Sequence, residues 1–166
     1  MTGFEIREER PGDEAAIRLL VERAFEGHPY SAGDEATVID RLRADGDLAL
    51  SLVACDGDAI VGHAAYSEAR LSDGCTGWMV VGPIAVDPSQ QRRGIGRTLI
   101  EQGEAVIRNR GAKGVTVLGD PSVYGRFGFA SGTSMRLEGE LGQYLQVKSF
   151  GAPIPAATIA FAPAFG

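Results

Sequence analysis

The middle of the chain contains, in this order, an apolar segment, a polar loop, a long amphipathic segment and a second apolar segment. This order constrains the fold more than any other feature. Residues 78–86 predict a strand, and residues 87–93 predict a polar loop. Residues 94–110 carry apolar side chains at helical spacing. Residues 115–118 predict a short strand that is apolar throughout, which is typical of a central strand parallel to its neighbour.

Further helices and strands are predicted on both sides of this unit. We expect strands near residues 4–8, 48–55, 59–66, 134–137, 144–150 and 156–161, and helices near residues 13–25, 34–44 and 120–126. The order predicts a mixed α/β fold with helices on both faces of one sheet. Pro153 and Pro155 are expected to hold the last strand apart from the main sheet. The length of 166 residues fits one domain, expected to span residues 1–166.

The composition excludes several classes of protein. A net charge of −6 argues against nucleic-acid binding, which needs a basic surface. No segment approaches the roughly 18 consecutive apolar residues of a membrane span, and the charged N-terminus lacks the apolar core of a signal peptide. Cys55 and Cys75 are too few for a disulfide framework and lack the spacing of a zinc site. We therefore expect a reduced, cytoplasmic protein without a metal, a membrane or a nucleic-acid partner.

Acidic side chains are concentrated in the first third of the chain. Residues 1–58 hold 14 acidic and 6 basic side chains, whereas residues 59–166 hold 8 acidic and 10 basic ones. Such a surface either favours cationic ligands or consists of solvated helix faces.

Basic side chains and glycines are concentrated in residues 91–97, between the predicted strand and the long helix. Arg92, Arg93 and Arg97 lie beside Gly94 and Gly96. The free N–H groups of a first helical turn and the helix dipole bind anions, and glycines let the backbone approach a ligand closely. This pattern predicts a phosphate or pyrophosphate site, although so short a motif also fits a tight loop with exposed arginines. Leu99 stands where the dinucleotide fingerprint needs its third glycine, and the Walker lysine is absent.

Several motifs in order resemble the GNAT superfamily of acyl-CoA-dependent N-acyltransferases. Residues 91–96 read Gln-Arg-Arg-Gly-Ile-Gly and match its Q/R-x-x-G-x-G/A signature. Residues 82–86 ahead of the signature and residues 124–129, which resemble its Y-x-x-x-G-F segment, support the match. With residues 160–165, the pattern is similar to the YhbS-like branch. The resemblance implies a mostly antiparallel sheet of about six or seven strands with a parallel, splayed central pair.

The resemblance also implies acetyl-CoA as cosubstrate and an amine acceptor that attacks the thioester directly. The thiolate would be protonated by Tyr124. The residues matching the family's acetyl-CoA contacts are Ile84, Ala85, Val86, Gln91, Arg92, Arg93, Gly94, Ile95, Gly96 and Arg97, with Phe127 as a further contact. Pro83 cannot donate to a sheet ladder, which agrees with an interrupted pairing beside Ile84.

The general base is not fixed by the sequence. Glu68 and Asp120 are the main candidates, although Asp120 also suits a helix cap, and a water-mediated route is equally consistent. His63 is a weaker candidate, because a lone histidine in an apolar strand is usually structural.

The acceptor site in this family lies near the loop between the first two helices, here residues 26–33. The acidic residues nearby favour a cationic amine. A homodimer is the assembly that the resemblance suggests, because C-terminal strands of this superfamily often pair between subunits. Two alternatives to an enzyme stay open: a non-catalytic acyl-CoA sensor or partner-binding module, and a binder of another phosphate ligand.

Overall fold

The computed structural model describes residues 3–29 and 31–166. The strands are β1 (Glu5–Glu8), β2 (Leu48–Asp56), β3 (Ala59–Glu68), β4 (Arg70–Leu71), β5 (Trp78–Val86), β6 (Gly114–Leu118), β7 (Leu145–Ser149) and β8 (Ile159–Ala160). The α-helices are α1 (Glu14–Phe25), α2 (Glu35–Asp45), α3 (Ile95–Asn109) and α4 (Pro121–Tyr124). Within the described residues, no helix has both the length and the apolar character needed to cross a bilayer.

One sheet of six strands in the order β1-β2-β3-β5-β6-β7 forms the centre of the fold. All neighbours are antiparallel except β5 and β6, which confirms the predicted mixed sheet with a parallel central pair. The parallel pairing joins only three residue pairs, and the last of them is Val80 with Thr116. Beyond that pair the two strands separate, so the predicted splay is confirmed.

Helices cover both faces of the sheet, as predicted. The apolar stripe of α3 packs on one face, where Gly62 and Gly103 permit close contact. A Cβ atom at Gly62 would lie 2.6 Å from the Ile95 side chain, and one at Gly103 would lie 2.0 Å from the Tyr66 hydroxyl. The other face is covered by α1 and α2, whose apolar residues pack against strand residues that include Ala65. The strand residues therefore alternate between two apolar layers.

The C-terminal region differs from the prediction in part. The strand expected at residues 134–137 is wrong: the segment makes only a single bridge, between Arg136 and Thr158. Gly132 and Gly139 on either side have φ values of +68° and +91°, in the left-handed region, which ends extended backbone. The strand expected at residues 156–161 is reduced to β8. It pairs with β4 in a separate small sheet, which confirms its predicted separation from the main sheet.

A chain of polar side chains lies on the face of the sheet that α1 and α2 cover. His63 is fully buried, and its Nε2 lies 2.8 Å from the Ser51 hydroxyl. That hydroxyl donates to Glu9 at 2.8 Å, and Arg43 donates to the same carboxylate at 2.7 and 3.0 Å. His63 Nδ1 is buried without a hydrogen-bond partner in the described part of the chain. Protonation of His63 would bury an unpaired charge, and burial lowers its pKa to about 4.

This histidine is expected to make the fold sensitive to mild acid. Unfolded His63 binds a proton near its ordinary pKa of about 6.5, whereas the folded form binds one only near pH 4. The contribution of His63 to the free energy of unfolding is therefore fully present above pH 6.5 and is lost as the pH is lowered. The free energy of unfolding should decrease by about 2 kcal/mol between pH 7 and pH 5. Urea unfolding at both pH values measures it. The variant His63→Leu should be less stable overall but lack this loss, whereas His28→Gln in an exposed loop should retain it. An equal loss in His63→Leu would contradict the assignment.

Candidate active site

The open edge of β5 is the first component of the site. The Asp87 N–H donates to the Val61 carbonyl at 2.8 Å. Because hydrogen-bonded pairs alternate along antiparallel strands, Ala85 directs its backbone groups to β3. The N–H and C=O groups of Ile84 and Val86 then point to the opposite side, where β6 has moved away. Of the three strand residues expected to bind the cofactor, Ile84 and Val86 thus offer free backbone groups to the opening.

A β-bulge lies where β5 leaves β6. Ala64 pairs with Ile84 and Tyr66 pairs with Val81, so two residues of β5, Gly82 and Pro83, lie opposite one residue of β3. A bulge of this kind bends a strand and increases its twist. Gly82 has a φ of +143°, which favours glycine at this position. The bulge therefore coincides with the start of the opening.

The loop after β5 leads to the N-terminus of α3. Asp87 accepts hydrogen bonds from the backbone N–H and the hydroxyl of Ser89 at 3.0 and 2.8 Å, and these bonds lower the pKa of its carboxyl. Gly94 is the N-cap of α3, with a φ of +79° and no side-chain cap. The first intrahelical bond runs from the Thr98 N–H to the Gly94 carbonyl at 3.0 Å. The N–H groups of residues 95–97 therefore have no intrahelical acceptor, and donors of this kind suit an anion.

The three arginines of this loop are held differently. Arg93 pairs with Asp56 at 3.2 Å, and its guanidinium lies 5.7 Å from the centre of the Phe4 ring. Arg97 pairs with Glu101 at 3.1 Å and lies over the Phe127 ring.

Arg92 is exposed, has no ion-pair partner in the described part of the chain, and has a φ of +67°. Such a conformation in a residue other than glycine is strained, and strain of this kind is concentrated at ligand sites. Gln91 is also exposed, and Ile95 is buried in the core under the loop.

Tyr124 lies at the end of α4, beside the C-terminal end of β6. Its ring occupies the space over Gly119, where an added Cβ would lie 2.3 Å from the ring. The rings of Phe127 and Phe129 lie 6.3 and 6.0 Å from it. Burial raises the pKa of the Tyr124 phenol, and within the described residues its hydroxyl has no hydrogen-bond partner. The phenol is thus a protonated donor whose hydrogen bond is available to a ligand.

The three candidate bases occupy different places. Asp120 caps α4 by accepting the Ser122 N–H at 2.8 Å, and hydrogen bonds from Ser122 lower its pKa. Glu68 is exposed and pairs with Met79, in the part of β5 that is still paired with β6. It lines a cavity of about 430 Å³ at that end of the sheet. His63 is buried in its polar network. The structure therefore places Asp120 beside Tyr124, whose N–H donates to the Asp120 carbonyl at 3.0 Å. Glu68 lies at the end of β5 remote from the loop that follows this strand, and the His63 side chain is buried on the sheet face that α1 and α2 cover.

The first two helices meet the site at the end of β5. Arg23 in the last turn of α1 pairs with Asp87 at 2.7 Å. This ion pair places the last turn of α1 beside the end of β5. The Ser31 hydroxyl lies 2.7 and 2.8 Å from the two carboxylate oxygens of Glu35, while Glu26 is exposed. In the described part of the chain, no group of three or more His, Cys, Asp or Glu side chains is arranged to hold a metal ion.

Sequence reasoning missed four residues that shape the site. Asp87 and Arg23 join the loop to α1, and Gln146 and Lys148 on β7 contact the segment that carries Tyr124. Asp87 could have been found, because an aspartate two residues before a serine after a strand is a common turn signal. The other three depend on which elements become neighbours in the folded chain.

The sequence matches the Acetyltransferase (GNAT) family over residues 14–129, more than half of the chain. Together with the splayed strands and the helix N-terminus, this match shows that the chain belongs to the GNAT acetyltransferase family. Among individual relatives, the uncharacterised N-acetyltransferase YhbS of Escherichia coli K12 is 36% identical over 125 residues, 75% of this chain and 72% of YhbS. YjhQ of the same strain is 32% identical over 121 residues, 70% of this chain and 64% of YjhQ.

Solved structures agree with the assignment. A GNAT family acetyltransferase from Brucella melitensis, in complex with acetyl-CoA, superposes with a TM-score of 0.88 and 39% identity, covering 98% of both chains. YhbS from Escherichia coli, in complex with CoA, superposes with a TM-score of 0.87 and 29% identity, covering 98% of this chain and 91% of that one. The resemblance to the YhbS-like branch is therefore confirmed.

Proposed function

We propose that this chain is an acetyl-CoA-dependent N-acetyltransferase that acts on a primary amine by direct attack in a ternary complex. The observation that carries the proposal is the opening between β5 and β6, with the first turn of α3 following β5 and Tyr124 following β6. Two similar proteins were solved with acetyl-CoA or CoA, and both cover nearly all of this chain. The free backbone edge of β5 suits amide groups, and the first turn of α3 suits a pyrophosphate.

Each component of the opening has a distinct part in this mechanism. The backbone groups of Ile84 and Val86 orient the pantetheine, and the N–H groups of residues 95–97 hold the pyrophosphate, with Arg92 as an added positive charge. Bound acetyl-CoA supplies a thioester carbonyl that a neutral amine attacks. Tyr124, kept protonated by its raised pKa, donates its proton to the departing sulfur.

The amine must lose a proton before or during the attack. Of the candidate carboxylates, Asp120 is the nearest to Tyr124 along the chain. Its capping hydrogen bond and its lowered pKa make it a weak base. Glu68 would need a chain of water molecules to reach the opening. We therefore propose that water accepts the proton and that Asp120 serves mainly to cap α4. The pH dependence of kcat in Asp120→Asn and Glu68→Gln tests this step, since loss of the decrease on the acidic side in either variant would identify that carboxylate as the base.

Calorimetry with acetyl-CoA, followed by a thiol-release assay with a panel of amines, tests the proposed function. Binding and amine-dependent release of CoA are expected. Binding without release for any amine would favour the acyl-CoA sensor, and binding of ATP or NAD in place of CoA would favour another phosphate ligand. Desulfo-CoA is the control ligand, because it retains the pyrophosphate but has no thioester.

We propose further that the acceptor is cationic, because Glu26 and Glu35 flank the loop between α1 and α2, and α1 ends beside the end of β5. The double variant Glu26→Gln/Glu35→Gln should raise KM for a cationic amine about threefold to tenfold at low salt, with smaller effects at high salt. The glutamine at position 35 can still accept the Ser31 hydrogen bond. Glu138→Gln/Glu140→Gln, at two exposed positions outside α1, α2 and the loop between them, is the matched control. An unchanged KM would remove the carboxylates from acceptor recognition.

A further inference from the structure

Two side chains on one face of β7 hold the two ends of the segment that carries Tyr124. Gln146 Nε2 donates to the Gly119 carbonyl at 2.7 Å, and Lys148 Nζ donates to the Phe127 carbonyl at 2.8 Å. Positions 146 and 148 alternate with core residues on the other face of β7, so both side chains point to the α3 side of the sheet. The segment between the two carbonyls contains α4 and its last residue, Tyr124.

Both contacts are partly buried, and each leaves a buried polar atom nearby without a partner among the described residues. Gln146 is 1% exposed, and its Oε1 has no hydrogen-bond partner among the described residues. Lys148 also pairs with Glu104 of α3 at 2.8 Å, and the second carboxylate oxygen of Glu104 is buried and likewise lacks a partner there. A buried unpaired acceptor destabilises a fold, and a buried ion pair is weak evidence for stability. Stability alone therefore does not explain this arrangement.

The backbone between the two contacts is fixed in a way that reaches the Tyr124 ring. The Gly119 N–H donates to the Tyr144 carbonyl at 3.1 Å, while its carbonyl accepts from Gln146. The carbonyl of Gly119 is thus held by β7, and its N–H is held by the turn before β7. The Tyr124 ring rests on the bare Cα of Gly119, at a distance that leaves no room for a side chain. At the other end, Lys148 fixes the backbone of Phe127, whose ring contacts that of Tyr124.

We propose that Gln146 and Lys148 are positioning residues that form a two-point clamp on residues 119–127 and aim the Tyr124 hydroxyl into the opening. The proposal rests on the proposed function of Tyr124 as the proton donor. The clamp acts through peptide carbonyls only and touches neither cosubstrate nor acceptor. The phosphate site lies on β5 and α3, so the clamp is expected to affect the chemical step and to leave acetyl-CoA affinity unchanged.

The variants Gln146→Met and Lys148→Met, alone and combined, test the clamp in the natural and the Tyr124→Phe backgrounds. Each single change should lower kcat about tenfold, with KM for acetyl-CoA within about twofold. In the Tyr124→Phe background the same changes should lower kcat no further, because no hydroxyl is left to position. Gln143→Met and Lys113→Met are the matched controls, since both residues are exposed and lie outside the clamp. An equal loss of kcat in both backgrounds would overturn the proposal.

Hydrogen exchange gives a readout that does not depend on activity. The Val123 and Tyr124 N–H groups both donate to the Asp120 carbonyl inside the clamped segment. Their protection should fall about tenfold in the clamp variants, while the amides of α3 stay protected. Unchanged protection would overturn the clamp even if no amine is turned over, in which case the proposed function fails separately. If Lys148→Met does not fold, Gln146→Met carries both tests.

Discussion

Replacement of Tyr124 by phenylalanine is expected to lower kcat about 100-fold or more, with the Kd of acetyl-CoA unchanged. The ring would keep its place over Gly119 and between Phe127 and Phe129, because those contacts involve carbon atoms. The variant loses only the proton that the leaving sulfur needs. Steady-state kinetics with a reactive amine, together with calorimetry, measure both quantities.

Tyr144→Phe is the matched control for this change. Tyr144 is 39% exposed, and its contribution to the site is a backbone carbonyl that the substitution retains. Activity of Tyr144→Phe should therefore equal that of the natural chain. If Tyr124→Phe also kept full kcat, the proton would have to come from water, and Tyr124 would have only a packing role.

The pH dependence of kcat should carry the same signature. Burial raises the pKa of Tyr124 above its ordinary value of about 10, so the proton donor stays loaded throughout the neutral range. A decrease in kcat caused by loss of this proton should have its midpoint above about pH 10. An alkaline decrease with its midpoint well below that pH would point to a different acid.

The second large effect is expected from Gly96→Glu in the first turn of α3. A Cβ atom at this position would lie 3.7 Å from Val86, an ordinary contact, so a Cβ can be added without a clash. A carboxylate in a first helical turn stabilises the helix, and the fold should be retained or slightly stabilised. The same charge would repel a pyrophosphate at the N–H groups of residues 95–97. The Kd of CoA is therefore expected to rise about 100-fold or more at low salt.

Gly96→Ala separates charge from size in this experiment. It adds the Cβ without the carboxylate, so it should change the Kd by less than about tenfold. Calorimetry at two salt concentrations completes the test, because repulsion between charges weakens as salt increases. Equal binding by Gly96→Glu and the natural chain would place the phosphate groups elsewhere.

The parts of the fold that local sequence determines were predictable. The strand, loop and helix around Gly94 could be read from residue spacing, and the apolar strand at residues 115–118 indicated the parallel pair. The strand expected at residues 134–137 was wrong because its apolar residues lie between two glycines. The backbone at each of these glycines leaves the extended conformation. Local patterns record which residues avoid water, and they do not record whether a neighbouring strand is available for pairing.

The candidate site likewise has one part that local sequence predicts and another part that it does not. The proposed anion site follows from a contiguous stretch of sequence, because a helix N-terminus is formed by adjacent residues. The contacts around Tyr124 join Gly119 to Gln146, and Phe127 to Lys148, across 27 and 21 positions of the chain. Nothing in the spacing of a glutamine and a lysine on a late strand indicates which carbonyls they will meet.

The short parallel pairing of β5 with β6 divides the sheet into two blocks that share only three rungs. One block, formed by β1, β2, β3 and β5, presents the open edge of β5, and the other, formed by β6 and β7, carries the segment with Tyr124. In the proposed complex, the pantetheine amides occupy rungs that the protein itself leaves empty. The cosubstrate then serves as a temporary seventh strand of the sheet. When it leaves after each turnover, the gap between β5 and β6 opens again.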